Sequence, residues 1–229
     1  MRYSALGERR CIRTAPFHPS IHNLGNIGFG GLVHAWTAWP FTAAIDHFAY
    51  GKAHMRRLVA EEVVRRMTID RDAYVHTRQR RRRRQPRVVD VGCGAGTLTY
   101  ELARTNMLDV VGVDTSHEMI GVARSLVRHP HVRFEVCNGA DVACEYDAAV
   151  VCMVMHELPA EANAHLLSHL RRACSQVWVV DIVPTYAPSQ SMVSGEPYLL
   201  EYLHTIESIV GVCSKRYDVV PGHVRVWIV

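Results

Sequence analysis

The chain has 229 residues, 48% of them hydrophobic, with a formal charge of +4 and seven cysteines. That length suits the core of one α/β domain with an N-terminal elaboration and is short for two independent domains. No apolar run approaches the ~18 residues that span a bilayer. The opening Met1-Arg2-Tyr3-Ser4-Ala5-Leu6-Gly7-Glu8 lacks a secretory apolar region, so the expectation is a soluble cytoplasmic protein with no membrane span. The cysteines are odd in number, scattered and never spaced as C-x-x-C, which predicts reduced thiols and no zinc site.

Residues 1–30 contain Pro16, Pro19, Gly25, Gly28, Gly30 and Gly31 with little periodicity, the pattern of an irregular arm. Within it, His22-Asn23-Leu24-Gly25-Asn26 is unusually polar beside glycine, which makes His22 and Asn23 candidates for a lid over a bound substrate. Residues 31–50 carry Trp36, Trp39, Phe41, Ile45, Phe48 and Tyr50, too apolar for a free tail, and Pro40 predicts a break into short helices. Over 52–67, Met55, Leu58, Val59, Val63 and Met67 recur at three- and four-residue steps among arginines and glutamates, an amphipathic helix.

Most of the basic excess is confined to the next segment. Of 26 basic residues, seven (Arg78, Arg80, Arg81, Arg82, Arg83, Arg84 and Arg87) lie between 78 and 87 with no acid, leaving 19 against 22 acids. The body is therefore mildly acidic. The run has two readings: RNA-phosphate contacts or nuclear import through Arg78 to Arg84, or a solvated linker before the first strand. The linker is favoured, because nucleic-acid enzymes spread basic residues over a face with aromatics among them. The organisation read from these patterns is an arm and helical cap with an Arg-rich linker over 1–85 and a core over 86–229.

From Val88 onward strand and helix alternate. Strands are predicted near 87–91, 109–113, 132–136, 147–153 and 176–182, and helices near 97–105, 117–128 and 160–173. A long helix near 195–210 and a hairpin, 216–220 with 224–229 around Pro221-Gly222-His223, close the chain.

The densest signal is Val88-Val89-Asp90-Val91-Gly92-Cys93-Gly94-Ala95-Gly96-Thr97: a buried-strand pattern, a glycine turn and a helix start. A dinucleotide turn of the form G-x-G-x-x-G seats a pyrophosphate on the helix N-terminus. Here Thr97 stands in place of the third glycine, and Asp90 puts a carboxylate where a pyrophosphate would be repelled and an ammonium attracted. An amino-acid head group fits better than a diphosphate. This motif resembles the first motif of the class I S-adenosylmethionine-dependent methyltransferases, and Leu108 to Asp114 looks like their second strand ending in an acid.

The resemblance implies a Rossmann-like, seven-stranded, mostly parallel α/β sheet with helices on both faces and an antiparallel C-terminal hairpin. It covers about 140 residues from Val88 to the terminus and leaves the arm outside. It implies S-adenosylmethionine as cofactor, with Asp90, Gly92, Cys93 and Gly94 at the methionyl part and Asp114 holding the ribose. Thr115 and Met119 are candidates for flanking the adenine, although Met119 reads equally well as core. Asp141, in Asn138-Gly139-Ala140-Asp141, stands one residue away from the family's adenine-binding acid, and an ordinary loop aspartate is the alternative.

For catalysis, His156 and Glu157 follow the fourth strand at the ligand-binding edge of a parallel sheet. In methyltransferases resembling those of quinone biosynthesis this segment lines the cavity beneath the methyl group. That makes His156 the candidate base and Glu157 a substrate contact, against a plain wall or capping role. Tyr186, Tyr198 and Tyr202 are candidate walls for an aromatic acceptor, or else packing of a surface helix. Among 14 histidines only His165 and His169 share a helix face at i, i+4; no third ligand or catalytic glutamate accompanies them, so no metal is predicted. The sequence thus points to in-line transfer of a methyl group to a small molecule. RNA methylation and a non-catalytic, donor-binding regulatory protein remain the alternative classes.

Overall fold

A computed structural model describes residues 28–75 and 84–229 of the chain. His22, Asn23 and Arg78 to Arg83 lie outside the described residues. The core alternates β1 (Arg87–Val91), α3 (Thr97–Ala103), β2 (Asp109–Asp114), α4 (His117–Leu126), β3 (Val132–Val136), β4 (Tyr146–Cys152), α5 (Ala160–Ala173) and β5 (Cys174–Ile182). Two short single-turn helices, Gly139–Asp141 and Met155–Glu157, flank β4. The closing hairpin is β6 (Lys215–Val220) with β7 (Val224–Ile228). All five predicted parallel strands are present with small shifts at their ends.

The seven strands form one sheet in the order β3-β2-β1-β4-β5-β7-β6, parallel except where β7 pairs antiparallel with β5 and β6. Strand side chains alternate between faces, and both faces are apolar. Val89, Val91, Val111, Val113, Ala149, Val151, Val177 and Val179 pack on one side with Leu166, Leu167 and Leu170 of α5. Val88, Val110, Ala148, Val150, Trp178 and Val180 pack on the other with Leu98 and Leu102 of α3. Covering both faces is what requires near-continuous valine runs rather than an apolar–polar alternation.

Two helices precede the sheet: α1 (Gly28–Phe48) and α2 (Met55–Val75). The amphipathic reading of α2 holds: Met55, Val59 and Val63 are buried against the α3 face of the sheet. The break expected at Pro40 does not occur, and α1 runs through it as one helix. Proline removes the bond that would go to the Trp36 carbonyl. Both Pro40 and Trp36 are on the exposed side, where water can satisfy that carbonyl. The helix predicted over 195–210 is shorter: it is α7 (Leu199–Val210), starting only after Pro197, which can neither donate an amide proton nor tolerate a helical residue before it, and a separate helix not predicted, α6 (Gln190–Gly195), precedes it.

Of the cysteines among the described residues, five are free thiols as expected, whereas Cys137 is disulfide-bonded. No helix of the described residues is long and apolar enough to cross a membrane. At the described end of the arginine run, Arg84 forms a two-pronged ion pair with Asp147 (3.0 and 3.1 Å), and Arg87 pairs with Glu145 (2.9 Å). Those two cations are each paired with an acid of the same chain.

α1 lies over the strand ends and is fastened to the glycine turn. The Trp39 indole N–H donates to the Ala95 carbonyl (2.8 Å), and the Gly28 amide donates to Glu118 Oε1 on α4 (2.7 Å). Trp39→Phe removes the first of these while keeping an aromatic body. It is expected to cost about 1 kcal/mol, the net value of one hydrogen bond. Hydrogen exchange checks this: α1 amides lose protection while those of β1 and β4 keep theirs.

Candidate active site

In a parallel sheet, ligands bind beyond the C-terminal ends of the strands where the strand order reverses. Here that point lies between β1 and β4, and a cavity of about 320 Å³ opens there. Its floor is the glycine turn, and α1 forms one wall through His34, Ala38, Phe41, Thr42 and Ile45.

The turn is shaped by its backbone. Gly92 and Cys93 both donate amide protons to the Val113 carbonyl (2.8 and 3.0 Å), which folds the chain back at the end of β2. Gly92 has φ +70°, and a Cβ there would stand 2.4 Å from Val154 Cγ2, so no side chain fits between the turn and the loop after β4. Gly94 also has positive φ (+52°), yet a Cβ there would meet nothing within 4 Å, because it borders the cavity.

Two carboxylates brace the turn. Asp90 is 1% exposed and borders the cavity; the Thr99 hydroxyl donates to its Oδ2 (2.6 Å). Burial pushes its carboxyl up to about 6, against the opposing pull of the Thr99 hydrogen bond. Asp114, also at the cavity, accepts from the Gly94 amide (2.9 Å) and the Ser116 amide (2.8 Å), and burial raises it despite those donors. Cys93, Thr115 and Met119 border the cavity too. Burial holds the Cys93 thiol well above its ordinary range. Met119 packs with Ala35, Ala95 and Val122, so its core and cavity readings coincide in one side chain. Asn138, Gly139 and Ala140 reach the cavity, but Asp141 does not border it. Its turn is capped instead by Asn138 Oδ1, which accepts from the Ala140 amide (2.9 Å).

On the other side of the cavity stands His156, 6% exposed, its Nδ1 2.7 Å from Asp181 Oδ1. Asp181, fully buried at the end of β5, also accepts from the backbone amides of Val154, Met155, His156 and Ile182. Burial alone would lower the imidazole pKa, but the Asp181 charge and hydrogen bond outweigh it and hold His156 up at about 9. Glu157 borders the cavity beside it.

The tyrosines are not brought to the cavity. Tyr202 is fully buried, its hydroxyl donating to the Ile182 carbonyl (2.7 Å), because it lies on the apolar stripe of α7 with Leu199 and Ile206. Tyr186 packs its ring against His223 and donates to Met192 Sδ (3.6 Å), and Tyr198 sits at the start of α7; neither borders the cavity. Residues the sequence reading passed over do border it: Arg56 of α2, Glu196 between α6 and α7, and the inner face of α1. Asp181 was also passed over, although an acid ending the apolar run Val177–Val180 is a signal that a buried partner exists. Among the described residues no group of histidines, cysteines or acids forms a metal-binding cluster.

Residues 88–182 match the family described as "Methyltransferase domain". Over 124 residues the chain is 32% identical to the ubiquinone biosynthesis O-methyltransferase of Xylella fastidiosa (strain 9a5c), a match covering 51% of this chain and 50% of that protein. The chain thus matches about half the length of that curated relative. Among solved structures it is similar to a putative O-methyltransferase from Nostoc punctiforme PCC 73102 (TM-score 0.60, 16% identity, 90% of this chain and 62% of the other). It is also similar to magnesium protoporphyrin IX methyltransferase from Synechocystis PCC 6803, solved with bound S-adenosylmethionine (TM-score 0.53, 19% identity, 76% and 78%). At these identities the two structures show a shared fold.

The His156–Asp181 pair makes stability depend on pH. Because the folded imidazole titrates at about 9 rather than 6.5, its contribution is complete below 6.5 and is lost as pH rises through 9. Urea unfolding between pH 6 and 10 is expected to show a decline of about 3 kcal/mol from this group, and Asp181→Asn is expected to flatten it.

Proposed function

We propose that this protein transfers a methyl group from S-adenosylmethionine to a small-molecule acceptor, with the donor on the glycine turn and the acceptor between α1 and His156. The observation that carries this reading is the juxtaposition, in one cavity, of the buried Asp90 carboxylate, the open approach to Gly94, and Asp114. The residues fit the group. A buried carboxylate suits an ammonium, a glycine with nothing beside it lets the backbone be approached closely, and the second carboxylate suits a pair of ribose hydroxyls.

When bound, S-adenosylmethionine supplies an electrophilic methyl on a sulfonium whose leaving group is neutral. The chain's task is then mainly to position the acceptor in line and keep water out. The walls for this are Ala38, Phe41 and Ile45 of α1 and Leu158 and Leu166 opposite. His156 is the proposed base. Its hold on Asp181 fixes Nδ1 and leaves Nε2 as the nitrogen available to the cavity. A conjugate acid near 9 lies close to the ordinary range of a phenolic hydroxyl, about 10, so the two are matched for proton transfer.

Titration calorimetry with S-adenosylhomocysteine tests the donor half. Its affinity is expected to rise as pH increases through about 6, where Asp90 ionises, and to level off above. Gly94→Ala is expected to abolish binding while costing about 1–2 kcal/mol of stability, the strain of a left-handed non-glycine residue. Undiminished binding by this variant contradicts the assignment.

The catalytic half is read from kcat against pH. His156→Ala is expected to retain S-adenosylhomocysteine binding and to slow turnover by ~10²-fold. In the unaltered protein kcat is expected to climb with pH and level off near 9. A pH-independent kcat, or a variant with full activity, removes His156 from the chemistry.

A further inference from the structure

α1 is an apolar helix that its own chain covers on one side only. Helices in proteins owe most of their stability to burying a face, yet of the 21 residues of α1 only Gly31, Ala35 and Asp46 are buried. The opposite side is exposed and carries Phe29, Val33, Trp36, Pro40, Ala43 and His47 at alternating steps of four and three residues. Leu32 and Phe48 widen this stripe. Its polar groups are already engaged within the helix. The Thr37 hydroxyl donates to the Val33 and His34 carbonyls (2.9 and 3.0 Å), and the His47 ring packs edge-on against Phe48, 4.7 Å between centroids. Asp46 is the one Asp, Glu, Lys or Arg in the helix, and it faces inward.

The size and spacing of the stripe indicate what covers it. Phe29, Trp36 and Phe48 keep 82, 53 and 83% of their surface, and Leu32 and Val33 keep 42 and 40%. With about 150–250 Å² to an aromatic side chain, these five leave about 550 Å² of apolar surface open, at the upper end of the ~300–600 Å² found as the largest patch on a monomer. Two such stripes face to face, with Pro40, Ala43 and His47 included, reach the ~1,200 Å² at which stable protein interfaces begin. A repeat averaging about 3.5 residues is the spacing that keeps one helix against another. A helix lying on a lipid surface carries Lys and Arg along its length instead, and α1 has neither. Because the stripe lies on a single straight element, it is complementary to itself across a two-fold axis.

We propose that the outer stripe of α1 packs antiparallel on the α1 of a second copy of this chain, with the two-fold axis beside Trp36, so that the dimer backs the wall of both cavities. Residues next to such an axis meet their own counterparts. Trp36 then lies against the partner's Trp36, and Phe29 falls opposite the partner's small Ala43, large side chain to small. The Trp36 carbonyl freed by Pro40 loses its water in this interface and needs a donor; the partner's Trp36 indole N–H is a donor on that face. The inner side of the same helix gives His34, Ala38 and Thr42 to the cavity, so whatever holds α1 from outside also holds the wall inside. The proposal is independent of the methyl-transfer reading.

Sedimentation equilibrium on the full chain tests it. The unaltered protein is expected to be a dimer at micromolar concentration. Trp36→Glu and Trp36→Lys are each expected to weaken association at least about hundredfold, because a central aromatic anchor is lost and two like charges meet at the axis. An equimolar mixture of the two variants is expected to recover a dimer, since the facing charges are then opposite, a rescue that misfolded variants would not give. A monomer at micromolar concentration, a dimer that both substitutions leave intact, or a mixture that stays monomeric overturns the proposal. So does an unaltered protein that is monomeric in solution and floats with phosphatidylcholine vesicles, which would assign the stripe to a lipid surface.

Discussion

The buried carboxylate of Asp181 is the constraint on which the acceptor side of this site depends. It sits fully buried at the end of β5 and gathers four backbone amides and the His156 imidazole nitrogen. Burying a carboxylate is tolerated only when hydrogen bonds replace its water, and these partners do so. The consequence runs in both directions. The loop after β4 is drawn onto the sheet edge, and the imidazole is fixed in orientation and held protonated at neutral pH. That loop supplies Val154, whose side chain meets the hydrogen-side of Gly92, so the acceptor loop and the donor turn are packed against each other. Asn163 reinforces the arrangement from α5, its amide donating to the carbonyls of Met155 (2.7 Å) and Leu158 (3.1 Å).

The donor side is built differently. There the backbone does the shaping, and two buried acids stand at its edges with raised pKa values. Such groups are costly in an empty pocket and are relieved by a cation or by hydroxyl donors, which is the chemistry of the methionyl and ribose parts of the proposed donor. Asp90 and Asp114 lie at the ends of β1 and β2, His156 follows β4 with the charges of Glu157 and Glu196 acting on it, and α1 is the common wall.

Much of this was legible in the sequence, and for a physical reason. Strands covered on both faces must be apolar throughout, so β1, β2, β4 and β5 stand out as runs such as Val88-Val89 and Val177 to Val180, and the glycine turn follows from positive φ at positions where a Cβ clashes or blocks a ligand. What was hidden depended on tertiary context. α1 is apolar nearly all round, so periodicity gave it no face, and Pro40 looked like a breaker until its freed carbonyl proved to be on the exposed side. Arg56 read as part of a solvated helix face, because nothing local distinguishes it from Arg57, which is exposed and paired with Glu61. For Tyr202 the packing alternative holds, and its spacing from Leu199 and Ile206 places it on the buried stripe of α7.

The central claim is that one cavity between β1 and β4 holds the methyl donor on the glycine turn and leaves the side towards His156 for the acceptor. A crystal structure of the protein grown with saturating S-adenosylhomocysteine tests it most directly. The account predicts density along the turn with the amino group at Asp90, the ribose at Asp114, and the sulfur facing the space beside His156. Nucleoside density elsewhere on the molecule, or a sulfur turned away from His156, would contradict it.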